Sequence, residues 1–253
     1  MNAETLFQHT LEKLRTARHV VISTGAGISA ESGIATFRDP ATGLWSRYKQ
    51  GEFASAEAFE QNPALVWGWY SWRRMLVSKA KPNAAHLAVA ELEQSLHRVT
   101  LITQNVDDLH ERAGSRDAIH LHGHLTTARC YTCNKPYLDA LPVNASQEEG
   151  PSDPPHCQHC DGLVRPNVVW FGEKLSPEDI NRANAAALDC DVFLSVGTSE
   201  SVAPAVYLPI LAAERGAWVV HINLAPSVSA PGNTLIGTAT SWLPRIAQAL
   251  ISV

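Results

Sequence analysis

Residues 19–33, HVVISTGAGISAESG, join a continuous apolar run to a glycine-rich turn. The run HVVIST is β-branched and unbroken, which is typical of a strand buried on both faces of a parallel sheet. Gly25, Gly27 and Gly33 follow it and would allow a tight turn whose backbone approaches a pyrophosphate at a helix N-terminus. The stretch predicts a strand that leads into a nucleotide-binding loop; taken alone, a plain strand-to-helix turn is an equal alternative.

Three further apolar runs have the same character as the first. They are LHRVTLIT (96–103), DVFLSV (191–196) and AWVVHI (217–222). Helical patterns at residues 84–96, 205–215 and 240–251 alternate with the runs, which predicts an α/β fold with a Rossmann-like, doubly wound parallel sheet. Small polar residues stand directly after the runs, namely Gln104-Asn105, Gly197-Thr198-Ser199 and Asn223. Because open sheets bind ligands at the carboxyl ends of their strands, these residues predict a site suited to an adenosine and two riboses.

Composition narrows the class of protein. The chain has 253 residues, 45% of them hydrophobic, which is the ordinary globular range. A net charge of -5 without a basic block argues against direct nucleic-acid binding. The sequence contains no run of about 18 apolar residues, so no membrane span is expected. The acid expected about 20 residues after a dehydrogenase glycine loop is not evident, so an ordinary dehydrogenase is disfavoured.

Two CxxC pairs predict a metal site. They are Cys130-x-x-Cys133 and Cys157-x-x-Cys160, with 23 residues between the pairs. Two such turns can complete a tetrahedral four-sulfur site, which would hold one structural zinc ion because no coordination position stays open. The alternatives are two disulfides or a redox pair, and a redox role does not explain two pairs. Four of five cysteines in such pairs also favour a reduced, cytoplasmic setting. The zinc site would belong to a small module inserted into the sheet.

Three histidines alternate in the segment His120-Leu121-His122-Gly123-His124. If the segment is extended, all three side chains project from one face. A metal cluster is one interpretation, but no carboxylate stands nearby in the sequence. The other interpretation is a base, because neutral imidazole near pH 7 can take a proton from a hydroxyl group.

The motifs occur together in an order similar to that of the sirtuins, a family of NAD-dependent protein-lysine deacylases. They are GAGISAESGIATFR (25–38), TQNVDDLHERAG (103–114), LHG (121–123), the two CxxC pairs, RPNVVWFGE (165–173), GTS (197–199) and IN (222–223). The resemblance covers about residues 12–250. One departure is Ala35, which stands where proline is frequent in that family.

The resemblance implies one catalytic unit over residues 1–253. Its NAD-binding part would comprise residues 1–40, 83–125 and 166–253, and the small module would comprise insertions at 41–82 and 126–165. The residues implied to bind NAD, as a co-substrate, are Gly25, Ala26, Gly27, Phe37, Arg38, Gln104, Asn105, Val106, Asp107, Gly197, Thr198, Ser199, Asn223, Leu224 and Ala239.

The resemblance also implies the chemistry, with His122 as the general base. The acyl oxygen of an acylated lysine in a protein attacks the nicotinamide ribose, and nicotinamide leaves. His122 then activates a ribose hydroxyl, which takes the acyl group, so that the products are lysine, nicotinamide and O-acyl-ADP-ribose. The wall of the acyl-lysine channel would be Val168, Val169, Trp170 and Phe171. The alternatives are mono-ADP-ribosyl transfer or NAD hydrolysis at the same site, or a non-catalytic NAD sensor.

Tyr70 and Arg73 predict which acyl group is removed. They are three residues apart in WGWYSWRR (67–74), so on a helix they share a face, whereas Arg74 points about 100° away. A phenol and a guanidinium can grip a carboxylate together. This pair resembles the sirtuin branch that removes succinyl and malonyl groups besides acetyl. The alternative is an aromatic packing face with a solvated arginine.

Overall fold

Helices and strands alternate along most of the chain. The computed structural model describes residues 2–36, 53–141, 150–228 and 230–251, so Phe37 and Arg38 lie outside the described residues. The helices are α1 (Ala3–Thr16), α2 (Ala56–Gln61), α3 (Pro63–Lys79), α4 (Ala84–Ser95), α5 (Leu109–Ala113), α6 (Pro177–Asp189), α7 (Leu208–Glu214) and α8 (Ala239–Ile251). The strands are β1 (Val20–Thr24), β2 (Val99–Thr103), β3 (Ile119–His120), β4 (Gly123–Cys130), β5 (Pro136–Tyr137), β6 (Val164–Val168), β7 (Val192–Val196), β8 (Trp218–Asn223) and β9 (Thr234–Ile236).

The larger sheet has six parallel strands in the order β3-β2-β1-β7-β8-β9. The prediction of a doubly wound α/β sheet is therefore confirmed. The order reverses between β1 and β7, which makes this pair the topological switch point. β2 begins at Val99, three residues later than its apolar run, because Leu96 caps α4 by donating its backbone N–H to the carbonyl of Leu92.

Helices cover both faces of this sheet. On one face, α1, α4 and α8 bury a cluster that includes Val20 and Ile22 of β1. On the other face, α6 and α7 pack against Val21 and Phe193. Successive residues of β1 thus enter opposite cores, which explains why the strand reads as one unbroken apolar run. Among the residues that the structure describes, no helix is both long and apolar enough to cross a membrane.

A second sheet is small and antiparallel, with the order β5-β4-β6. α2 and α3 pack beside it, and their shared core contains Phe59, Trp69, Tyr70 and Trp170. β4 starts at Gly123, so this sheet begins directly after His122. The small sheet and its helices therefore border the carboxyl edge of the large sheet.

The four paired cysteines meet at the far end of the small sheet. The Sγ atoms of Cys130 and Cys160 are 3.5 Å apart, those of Cys133 and Cys157 are 3.7 Å apart, and all four lie within 4.8 Å of one another. A tetrahedral site with Zn–S bonds of about 2.3 Å requires Sγ atoms about 3.8 Å apart, so the cluster fits zinc. Disulfide bonds would need about 2 Å, and all five cysteines are free thiols.

Backbone amides support this cluster. The N–H groups of Thr132 and Cys133 both point at the sulfur of Cys130 at 3.3 Å, and the N–H of His159 points at the sulfur of Cys157 at 3.4 Å. Such contacts stabilise the thiolate form that zinc requires. The neighbouring His156 instead contacts the carbonyl oxygen of Asp161 at 2.8 Å, so it is not placed as a ligand.

We expect zinc at these cysteines to hold the small sheet together, because metal binding to a structural site contributes folding free energy. Cys133→Ser should abolish the tightly bound zinc and lower the unfolding temperature by at least ~5 °C. Metal analysis and thermal unfolding measure both effects, with Cys190→Ser, a buried thiol outside the cluster, as the matched control. An equal unfolding temperature for the zinc-free and zinc-loaded chains would contradict a structural role.

Candidate active site

A cavity of about 560 Å³ opens at the carboxyl ends of β1, β2, β7 and β8. It lies where the strand order reverses, the usual ligand site of an open α/β sheet. The structure brings together here most of the residues that the sequence predicts for NAD, namely Gly25, Ala26, Gly27, Gln104, Asn105, Val106, Gly197, Thr198, Ser199, Asn223, Leu224 and Ala239. Asp107 is the exception among the described ones.

Two glycine loops touch at the floor of this cavity. The N–H of Gly27 donates to the carbonyl of Gly197 at 2.8 Å. A Cβ atom on Gly27 would lie 2.7 Å from the Gly197 Cα, closer than real Cβ contacts, and Gly197 itself has a φ of +60°. Only glycine fits this approach of two backbones. Because neither residue has a side chain, a pyrophosphate could approach the backbone of these loops closely.

Ser29 links the glycine loop to the segment after β2. Its hydroxyl donates to the carboxylate of Asp107 at 3.0 Å and accepts from the Nδ2 of Asn105 at 3.0 Å. All three side chains are buried. Burial raises the pKa of Asp107, although bonds from Leu109 N–H and Ser29 act in the opposite sense. Asp107 thus lies behind the cavity wall, where it orients Ser29 and, through Ser29, Asn105.

A second layer of buried polar groups supports Ser29. His86 lies 3.4 Å from the Ser29 hydroxyl, and the ring of His110 stands 4.9 Å from that of His86. Nε2 of His110 contacts the hydroxyl of Thr24 at 3.0 Å. Burial lowers the pKa of His86 to about 4 and that of His110 to about 3, so both rings are neutral at pH 7. The sequence prediction missed this layer, whose members come from different elements.

His122 is the one member of the histidine triplet that lines the cavity. Its Nδ1 lies 2.9 Å from the carbonyl oxygen of Gln104, so this nitrogen carries a proton that it donates there. Nε2 is then the nitrogen with the lone pair, which a general base uses to accept a proton. Gln104 is fixed in turn, since its side-chain amide donates to the hydroxyl of Thr198 at 3.1 Å.

The triplet does not form one extended strand. β3 ends at His120, residues 121 and 122 form a turn, and β4 starts at Gly123, whose φ is +78°. The expectation that three side chains share a face is therefore wrong. The turn separates His122 from the other two, whose rings lie 4.5 Å apart.

Tyr70 and Arg73 of α3 also line the cavity together. The Tyr70 hydroxyl accepts a hydrogen bond from Nε1 of Trp170 at 3.0 Å, which leaves its own proton to donate. Burial raises the pKa of Tyr70 to about 12, so the phenol stays protonated. Burial lowers the pKa of Arg73, whereas Tyr70 and Asp107 raise it. Arg74 points elsewhere, with its guanidinium 4.6 Å from the ring of Trp67.

The predicted acyl-lysine wall also borders the cavity, and it comprises Val168, Val169, Trp170 and Phe171. The N–H of Val169 donates to the carbonyl of His122 at 2.9 Å, so this wall is bonded to the residue that the sequence predicts as the base. Trp170 is buried, and the guanidinium of Arg165 stacks 3.3 Å from its ring centroid. Arg165 in turn pairs with Glu173, which fixes the turn after β6.

Some lining residues escaped the sequence prediction. Trp69, Thr36, Val202 and Thr238 also face the cavity. Trp69 lies within the aromatic run around Tyr70, so the signal for it was present. Thr36 lies within the motif at 25–38, whereas Val202 and Thr238 lie in loops without a motif. Among the described lining residues none is a cysteine, which keeps the metal cluster apart from the cavity.

Known proteins match the chain over most of its length. The model of the Sir2 family matches residues 25–204. NAD-dependent protein deacylase 1 of Pseudomonas aeruginosa is 53% identical over 239 residues, which are 93% of this chain and 96% of that protein. NAD-dependent protein deacylase of Methylococcus capsulatus is 52% identical over 243 residues, 95% of either protein.

Solved structures agree with this match. A Sir2 homologue mutant in complex with ADP-ribose superposes with a TM-score of 0.89 at 41% identity, covering 97% of this chain and 96% of that one. A Sir2 homologue in complex with NAD has a TM-score of 0.86 at 40% identity, with coverage of 97% and 94%. By sequence, by fold and by the arrangement of its cavity, the chain belongs to the Sir2 family.

Proposed function

We propose that this chain removes succinyl, malonyl and acetyl groups from lysine side chains of proteins, with NAD as co-substrate and O-acyl-ADP-ribose and nicotinamide as products. The observation that carries the proposal is that one cavity holds a nucleotide-type glycine floor, the ring of His122, and the Tyr70/Arg73 pair. The relatives named NAD-dependent protein deacylases support the reaction class. A Sir2 structure with a p53 peptide and NAD supports a protein substrate.

The NAD-binding part is assigned to the glycine loops and the polar strand ends. Bare backbone at Gly25, Gly27 and Gly197 would approach the pyrophosphate, and Asn223 and Leu224 would lie on the adenosine side. Phe37 and Arg38, outside the described residues, are proposed for the same ligand. When bound, NAD supplies an electrophilic ribose carbon and the hydroxyl that accepts the acyl group.

Positioning around the nicotinamide ribose falls to Asn105. Its side-chain amide is held by Ser29, which Asp107 holds in turn, so the carbonyl end of the amide has little freedom. An amide fixed in this way can orient a ribose hydroxyl or a water molecule without paying for its own ordering at the moment of reaction. Asp107 is thereby a positioning residue that acts through Ser29.

His122 is the proposed general base. Its Nδ1–H bond to the Gln104 carbonyl sets the tautomer and aims Nε2 at the cavity. A ribose hydroxyl at this nitrogen would lose its proton and become the nucleophile toward the acyl carbon. The side chain of Gln104 also donates to Thr198 on the second glycine loop. Gln104 therefore connects the proposed base to the glycine loop at the floor of the cavity.

The Tyr70/Arg73 pair is the proposed carboxylate clamp for acidic acyl groups. Tyr70 has a proton left to donate after accepting from Trp170, and Arg73 adds a positive charge in a buried environment, where a charge-assisted hydrogen bond is strong. Acetyl groups end before the clamp and do not use it. We also infer a reduced cytoplasmic setting, which the free thiols support.

His122→Ala should reduce deacylation by at least ~100-fold, since general-base catalysis contributes about 10²–10⁴-fold. The measurement is mass spectrometry of peptide and nucleotide products after incubation with NAD and a succinyl-lysine peptide. The matched control is His97→Asn, an exposed histidine outside the cavity, which should keep full turnover.

The same product analysis separates the alternative reactions. O-acyl-ADP-ribose formed in step with peptide deacylation supports the proposal. Free ADP-ribose with an unchanged peptide would instead establish NAD hydrolysis, and a peptide heavier by ADP-ribose would establish mono-ADP-ribosyl transfer. Unchanged turnover in His122→Ala would remove this residue from the mechanism.

The double change Tyr70→Phe with Arg73→Met should lower kcat/KM for a succinyl peptide by about 10- to 100-fold, the worth of hydrogen bonds to a charged group. The value for an acetyl peptide should change by less than about threefold, because acetyl carries no carboxylate to bind. Arg74→Met, on the same helix but facing Trp67, is the control. Equal losses for both peptides would reject the clamp.

A further inference from the structure

A second group of metal-binding side chains lies beside the proposed base but outside the cavity. Glu111 of α5, His120 of β3 and His124 of β4 each offer one ligand atom, and these atoms lie within 4.8 Å of one another. Nε2 of His120 is 2.7 Å from Oε1 of Glu111. The carboxylate that the sequence lacked near the histidines is thus supplied from nine residues upstream by the fold.

Both histidines are oriented by contacts of their other nitrogens. Nδ1 of His120 lies 3.1 Å from the carbonyl oxygen of Asn105 and donates a proton to it, which aims Nε2 at Glu111. Nδ1 of His124 lies 2.7 Å from the hydroxyl of Thr126 and accepts the backbone N–H of the same residue at 3.4 Å, which holds the ring in place. Metal-binding histidines are commonly held as His120 is, with the nitrogen that does not bind the ion donating to a carbonyl oxygen.

We propose that Glu111, His120 and His124 form a second metal-binding site, which takes a borderline divalent cation such as Zn²⁺ with water in the fourth position. Two imidazole nitrogens and one carboxylate oxygen are a ligand set that zinc accepts, whereas calcium and magnesium prefer oxygen alone. Zinc bonds of about 2.0–2.1 Å place neighbouring ligand atoms about 3.4 Å apart, and the atoms of this group lie within 4.8 Å of one another.

The surroundings favour a cation and allow it to enter. Two further carboxylates add negative charge beside the group. The partly exposed Asp108 acts electrostatically on His124, and the buried Asp107 acts on His120, and both favour positive charge there. The Glu111 side chain is 37% exposed, so an ion reaches the group from solvent without passing the cavity. Neither histidine lines the cavity, which leaves both free of the role proposed for His122.

The site would join two segments that the proposed mechanism uses. α5 follows Asn105 and Asp107 along the chain, and His120 and His124 stand on either side of the turn that carries His122. A bound ion would therefore fix this turn to α5. By linkage, an ion that binds the folded chain alone raises the unfolding temperature.

The test counts zinc on the full-length chain. The protein, with its cysteine site loaded and a phosphine reductant present, is equilibrated by dialysis against micromolar free Zn²⁺ and analysed for metal per chain. The unaltered chain should hold two equivalents. Glu111→Gln and His124→Asn should each hold one, and His97→Asn, which changes an exposed histidine elsewhere, should hold two.

Two equivalents in both site variants, or one equivalent in the unaltered chain, would overturn the proposal. A variant that fails to fold is recognised because it loses the cysteine-bound zinc as well. A second measurement then uses the unaltered chain alone, with Co²⁺ added after the cysteines hold zinc. X-ray absorption should show nitrogen and oxygen neighbours with imidazole scattering around cobalt, and sulfur neighbours or water alone would overturn the assignment.

Discussion

The backbone contact between Gly27 and Gly197 is the constraint on which the rest of the site depends. β1 and β7 are neighbouring parallel strands on either side of the point where the strand order reverses, so the loops after them emerge side by side. A side chain on either residue would separate these loops. Their contact sets the floor of the cavity, and Ser29, which follows at once, carries that position on to Asn105. The position of Asn105 at the cavity therefore depends on the lack of a Cβ atom at Gly27 and at Gly197.

The sequence predicted the large sheet well because its strands are buried on both faces. β1 and β7 are continuous apolar runs, and their bounds agree with the structure to within one residue. α6 was not predicted, although Ser176 and Pro177 form a typical helix start. Its buried face consists of Ala183, Ala186 and Ala187, and such small residues leave only a weak periodic signal.

In the site, groups carried by one short motif could be predicted from the sequence, whereas groups that separate elements bring together could not. The glycine loops, His122 and the Tyr70/Arg73 pair were found because each is carried by a short motif, and the structure gathers them around one cavity. The layer of His86 and His110 behind Ser29 could not be found in this way, since three separate elements supply it. Glu111 was missed as a partner of His120 for the same reason. Sequence spacing locates groups within one turn, whereas only the fold shows which turns meet.

The hydrogen bond from Val169 to the carbonyl of His122 has a mechanical consequence. It joins the peptide group of His122, the proposed base, to Val169, which directly follows β6 of the small sheet. A shift of the end of β6 would therefore pull on the backbone of His122 and so on its imidazole. The position of the small sheet and the direction of the His122 imidazole are thus coupled through one backbone hydrogen bond.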